Sequence, residues 1–118
     1  MKVAVIGASD NPQRYSNLAA RALMSRGHEV FLYGLRDGEI ESIQINTDLT
    51  PVEGIDTVTI YVNPQHLSHW QPLIKQLKPQ RIIFNPGTEN FDIMGKYQNE
   101  GLQVIQGCTL VMLSANTF

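Results

Sequence analysis

Apolar residues in this chain fall into short unbroken runs, and between the runs they recur at helical spacing. Val3-Ala4-Val5-Ile6 is the first run, with three of its four residues valine or isoleucine, as a strand covered on both faces requires. Tyr15, Leu18, Ala19, Ala22 and Leu23 then recur at the period of a helix that Gly27 would stop. Val30 to Tyr33 is a second strand, so the chain opens with a βαβ unit whose strands should run parallel. Residues 34–56 lose the periodicity and read as a surface excursion, within which Ile43 and Ile45 alternate as a short edge strand would. Thr57 to Val62 is the third main strand. Asn63 and Pro64 suit the N-cap and first position of a helix that buries Leu67, Trp70, Ile74 and Leu77 and stops at Pro79. Arg81 to Phe84 is another strand, followed by the turn Asn85-Pro86-Gly87-Thr88. A weaker helix spans roughly Asn90 to Glu100, with Gly95 inside it and Gly101 as its cap. Gln103 to Ile105 is the last strand, and periodicity leaves the tail from Thr109 to Phe118 undecided.

Strand and helix alternate throughout, which predicts an α/β fold: a doubly wound parallel sheet with helices on both faces. The first strand is central, flanked by the second and by Thr57–Val62, in the order 3-2-1-4-5 with the Ile43–Ile45 segment outermost. At 118 residues the chain fits one domain, residues 1–118. Ligands of such sheets bind beyond the carboxyl ends of the strands, where the strand order reverses.

That edge holds the stretch around which the chain is organised, Gly7-Ala8-Ser9 with Arg14 and Ser16 behind it. A glycine at a strand-to-helix turn lets backbone approach a ligand, and the next helix aims free amides and its positive dipole end at the same place. Arg14 adds a guanidinium fork and Ser16 a hydroxyl, a set suited to phosphate oxygens. Ser16 also suits a plain N-cap. Only the first glycine of the three-glycine dinucleotide fingerprint is present. At the end of the second strand, NAD-binding folds carry a carboxylate for the ribose hydroxyls, whereas this chain reads Tyr33-Gly34-Leu35-Arg36. An arginine there favours a phosphorylated ribose, either the 3′-phosphate of coenzyme A or the 2′-phosphate of NADP.

These features together with Glu39-Ile40, Asn63-Pro64 and Gly87-Thr88-Glu89-Asn90 resemble the small stand-alone CoA-binding proteins, which are similar to the nucleotide-binding domain of the succinyl-CoA synthetase alpha subunit. The resemblance runs from Val3 to about Cys108. It implies a three-layer Rossmann-like fold that binds coenzyme A or an acyl-CoA. It further implies that Gly7, Ala8, Ser9, Arg14 and Ser16 hold the pyrophosphate, that Arg36 holds the ribose phosphate, and that Val62, Asn63 and Pro64 border the adenosine. Where the family commonly has Asn-Pro before the basic residue, this chain has Gly34-Leu35.

Other partners fit less well. A formal charge of −2 lacks the excess of lysine and arginine that nucleic acid demands. The N-terminal apolar run is too short for a membrane span. Cys108 is the only cysteine, so no internal disulfide can form, which suits a reducing cytoplasm. His66 and His69 stand one turn apart without a third metal ligand in view, and they read as surface or cap residues, with contact to a ligand as the alternative for His66. Cys108 reads as a buried, inert thiol, Trp70 as a core or lid group, and no Ser-His-Asp order or carboxylate pair stands out. The expected function is therefore a binding module, a carrier, sensor or subunit rather than an enzyme, with a protein partner or homo-oligomer compatible with its size. The alternatives are an NADP-binding reductase fragment and an interaction protein that has kept the fold without the ligand.

Overall fold

A computed structural model describes residues 1–118. The strands are β1 (Lys2–Ile6), β2 (Glu29–Tyr33), β3 (Glu39–Ile40), β4 (Ile43–Asn46), β5 (Thr57–Ile60), β6 (Arg81–Phe84) and β7 (Gln103–Gln106). The helices are α1 (Tyr15–Ser25), α2 (Leu67–Leu77, entered through a 3-10 turn at Pro64–His66), α3 (Phe91–Asn99) and α4 (Thr109–Ser114). They build one sheet in the order β3-β4-β2-β1-β5-β6-β7. Every pairing is parallel except β3 with β4, which form an antiparallel hairpin at one edge. The order β4-β2-β1-β5-β6 is the predicted 3-2-1-4-5.

Both faces are covered, which is why Val3 to Ile6 of β1 are all apolar. Val3 and Val5 pack with Ala20, Leu23 and Leu113, so α1 and α4 lie on their side. Ala4 and Ile6 point the other way, into a larger core with Trp70, Leu73, Ile74, Met94 and Tyr97 of α2 and α3. The result is three layers.

The structure departs from the sequence expectations in several places. Ser16 is not a cap: Arg14 occupies the N-cap of α1, with extended backbone and no capping hydrogen bond, and Ser16 is buried inside the first turn. Tyr15 does not join the buried stripe but is 72% exposed, whereas Ala20 and Leu23 join the cluster of Val3, Val5 and Leu32. The third main strand ends at Ile60 rather than Val62. Asn63 stands before Pro64 as expected, yet its side chain makes no capping bond. The segment 34–56 contains the β3–β4 hairpin, whose turn residues Glu41 and Ser42 have φ of 52° and 71°. These values suit the tight hairpin turns that follow the twist of the strands.

A buried polar node ties the carboxyl ends of β5 and β6 to α4. Asn85 Nδ2 donates to Thr59 Oγ1 at 2.7 Å and to Ile60 O at 2.9 Å, while its Oδ1 accepts from the Thr109 amide at 2.8 Å. The Thr59 and Thr109 hydroxyls meet at 2.8 Å, and Thr88 Oγ1 donates to Asn85 O at 2.7 Å. Both polar atoms of the Asn85 side chain and its carbonyl oxygen thus have partners. The same contacts fix the turn at residues 86–88, which faces the ligand edge.

Candidate functional site

The connections that follow β1, β2, β5 and β6 enclose an open cleft of about 710 Å³. This lies within the size range of small-molecule sites. It sits at the predicted place, beside β1 where the strand order turns from β2 to β5.

The β1–α1 loop forms its floor through a chain of local hydrogen bonds. Gly7 N and Ala8 N both donate to Tyr33 O, at 2.9 and 2.8 Å, which locks the loop to the end of β2. Ser9 Oγ accepts from Asn11 N at 3.1 Å, and Asn11 Oδ1 accepts from Gln13 N at 3.0 Å. From α1, the buried Asn17 donates from Nδ2 to Ser9 O at 2.9 Å, and its Oδ1 accepts from Arg21 Nε at 2.8 Å. Asn17 is thus a positioning residue for the loop. Nothing in the sequence marks this role beyond an amide side chain on the buried face of the helix.

Gly7 is required for a reason different from the one the sequence suggests. Its φ is +93°, and a Cβ there would stand 2.8 Å from Val62 Cγ1 and 2.9 Å from Tyr61 O. The space that the missing side chain leaves is occupied by the segment after β5, not by ligand. Gly34 is held the same way, since its Cβ would lie 2.6 Å from Ala8 O. Gly34 therefore belongs to the close approach between β2 and the loop, while Leu35 is exposed at the cleft.

With the Gly7 and Ala8 amides engaged, the free donors lie further along the loop. The amides of Ser9 and Asp10, and those of Tyr15 and Ser16 in the first turn of α1, have no acceptor in the protein. The Ser16 hydroxyl also makes no hydrogen bond, although the residue is only 5% exposed and lines the cleft. Arg21, Arg26 and Arg81 each donate within the fold. By contrast, Arg14 and Arg36 form no such bond, and both line the cleft. Asp10 and Asp37 also face it, so two carboxylates bound the same space.

Of the residues singled out from sequence, Gly7, Ala8, Ser9, Arg14 and Ser16 come together on one side, Arg36 lies on the end of β2, and Val62 and Asn63 line the side beyond β5. Pro64 does not line the cleft; it starts the 3-10 turn behind it. His66 and Trp70 do line it, as do Leu35, Tyr61 and the turn Pro86-Gly87-Thr88. Their placement follows from three-dimensional packing and has no local motif. The Tyr61 hydroxyl is buried beside Thr59 and Thr109 without a well-formed hydrogen bond, and burial, its largest influence, pushes its pKa well above the usual phenol value. Cys108, half-buried at the N-cap of α4, lies outside the lining. No three His, Cys, Asp or Glu side chains are grouped to hold a metal ion. No helix is long and apolar enough to cross a membrane.

Comparison with known proteins gives this geometry a context. A family model described as "CoA binding domain" matches residues 1–114. An uncharacterized protein of known crystal structure shares 44% identity, with 99% of this chain and 97% of that one covered and a TM-score of 0.96. A hypothetical protein from Pyrococcus horikoshii OT3 has the same fold at 20% identity, covering 96% of this chain and 81% of its own, with a TM-score of 0.85. A Thermus thermophilus protein likewise matches at 20% identity, 99% and 90% coverage and a TM-score of 0.85. No curated protein matches the chain.

Proposed function

Because this chain belongs to the CoA-binding domain family, we propose that it is a non-catalytic binding module for coenzyme A or an acyl-CoA, acting as a carrier, sensor or subunit. The observation that carries this reading is the set of unspent donors in the cleft. The free amides of Ser9, Asp10, Tyr15 and Ser16 and the unpaired Arg14 face the same space, with Arg36 on the neighbouring strand end. A diphosphate bridging Ser9 and the first turn of α1 would satisfy amides that otherwise have only water, and it would meet the positive end of the helix. Arg36 then takes the ribose 3′-phosphate, and Val62 and Asn63 border the adenosine.

The non-catalytic reading is supported by the chemistry of the lining. No nucleophile there is hydrogen-bonded to a base, the arrangement that activates a hydroxyl or thiol. The lone Cys108 thiol suits a reducing, cytoplasmic setting.

Isothermal titration calorimetry with coenzyme A, dephospho-CoA and NADP tests the reading. Coenzyme A should bind most tightly. A charge-assisted contact of about 1.5–3 kcal/mol corresponds to roughly 10- to 150-fold over dephospho-CoA, towards the lower end because Arg36 is exposed to solvent. Arg36→Ala should erase that preference and leave dephospho-CoA almost unaffected. Binding of NADP with rejection of coenzyme A would overturn the proposal.

A further inference from the structure

Trp70 combines two properties that rarely occur together. It is the largest of the fully enclosed side chains, 1% exposed among Leu67, Leu73 and Ile74, and yet it lines the cleft. Its indole N–H has no acceptor in the protein, and the polar side-chain atoms sealed away without a partner are the Tyr61 and Tyr97 hydroxyls, not the indole nitrogen. The little of Trp70 that stays accessible therefore includes the N–H, and Trp70 is among the residues that line the cleft. Buried indole donors ordinarily find a partner. An occupant of the cleft that Trp70 lines is in a position to supply one.

The distribution of charge says which part of the occupant this is. Arg14 and Arg36 belong to the β1–α1 loop and the end of β2. On the other side, the lining from Tyr61 to Trp70 and from Pro86 to Thr88 includes no lysine or arginine. An elongated ligand would thus have its anionic groups read on one side and neutral, hydrogen-bonding groups on the other. In coenzyme A the neutral groups are the adenine, which Val62 and Asn63 border, and the two amides of the pantetheine arm, for which Trp70 and the turn at residues 86–88 remain.

We propose that the Trp70 indole N–H donates to an amide carbonyl of the pantetheine arm, which makes Trp70 the residue that distinguishes a ligand carrying that arm from a bare nucleotide. The inference rests on the coenzyme A reading of the cleft. Trp70 is the only tryptophan in the chain, so intrinsic fluorescence reports on it alone.

The test pairs calorimetry with fluorescence, using coenzyme A and adenosine 3′,5′-bisphosphate, which lacks the arm and one bridging phosphate. Trp70→Phe keeps an aromatic ring in the core and removes only the donor side of the indole. It should weaken coenzyme A by about 2- to 13-fold, as expected for one neutral hydrogen bond, and leave the bisphosphate unchanged. In the unmodified protein, coenzyme A should alter the emission while the bisphosphate binds without altering it. If Trp70→Phe does not fold, this pair of emission titrations decides alone. Coenzyme A binding that Trp70→Phe does not weaken, or equal emission changes with both ligands, would overturn the assignment and leave the coenzyme A reading intact. Calorimetry that shows no coenzyme A binding to the unmodified protein would remove both.

Discussion

Replacing Gly7 by alanine should damage the fold itself, and the structure gives the size of the effect. Two terms act together. A non-glycine residue held at φ +93° carries backbone strain of about 1–3 kcal/mol. The added Cβ would also overlap Tyr61 O at 2.9 Å and Val62 Cγ1 at 2.8 Å. Because Tyr61 O is backbone in a segment anchored by the Tyr61 N to Ile6 O bond at 2.8 Å, it cannot simply rotate away. Overpacking of this kind costs about 1–3 kcal/mol more. The sum, about 2–6 kcal/mol, is a large part of the roughly 5–15 kcal/mol that stabilises an ordinary domain. Gly27→Ala is the control. Gly27 has φ +84° but nothing within 4 Å of its Cβ position, so alanine there meets strain without overlap. Urea unfolding should therefore place the Gly7→Ala midpoint below that of Gly27→Ala by roughly 0.5–2 M, with similar slopes. Equal midpoints would refute the claim that Gly7 is reserved for the β5 connection.

Other consequences follow from single contacts. The pKa of His28 is lowered first by burial and then by the amino-terminal ammonium 3.3 Å away, so the fold prefers the neutral ring. The unfolded state then binds more protons, and His28's contribution is present above about pH 6.5 and lost as pH falls through the unfolded and then the folded pKa. The stability drop between pH 7.5 and 5 should accordingly be smaller in His28→Gln than in the unmodified protein; an identical drop would dismiss His28 as its source. Asn85→Ala should destabilise by at least about 1–3 kcal/mol, the penalty for one buried group left unpaired, because the Thr109 amide loses its only acceptor. Chemical denaturation showing a loss below about 0.5 kcal/mol would mean that water replaces the amide. Asn90→Ala removes the cap that accepts from Ile93 N at 3.1 Å, and should lower stability by about 1 kcal/mol with no effect on ligand affinity.

Much of the fold was legible because the strands are buried on both faces. Val3 to Ile6 and Ile82 to Phe84 carry continuous apolar runs, and the structure seals each of these residues completely. β4 is legible as an edge strand in the alternation of Ile43 and Ile45, but β3 beyond it and the hairpin turn between them are not, because Glu41 and Ser42 take positive φ without the glycine or asparagine that would announce such a turn. α4 has six residues, too few for a helical period to show, and its position depends on Leu113 reaching the core under α1 and on the bond from Thr109 to Asn85. For the site, the loop from Gly7 to Ser16 is contiguous in sequence and could be found there. Trp70, His66 and Thr88 reach the cleft only through the packing of α2 and the turn after β6, and their spacing resembles any amphipathic helix or turn.

The amides of Ser9, Asp10, Tyr15 and Ser16 offer the most direct test of where a ligand lies, since none has an acceptor within the protein. In a ¹H–¹⁵N correlation spectrum recorded during titration with coenzyme A, these four resonances should shift most and gain protection from solvent exchange, while the already bonded Gly7 and Ala8 amides shift less. Coenzyme A binding whose shifts gather instead at the opposite end of the sheet, around the hollow lined by Gly54, Asp56 and Lys78, would contradict the account.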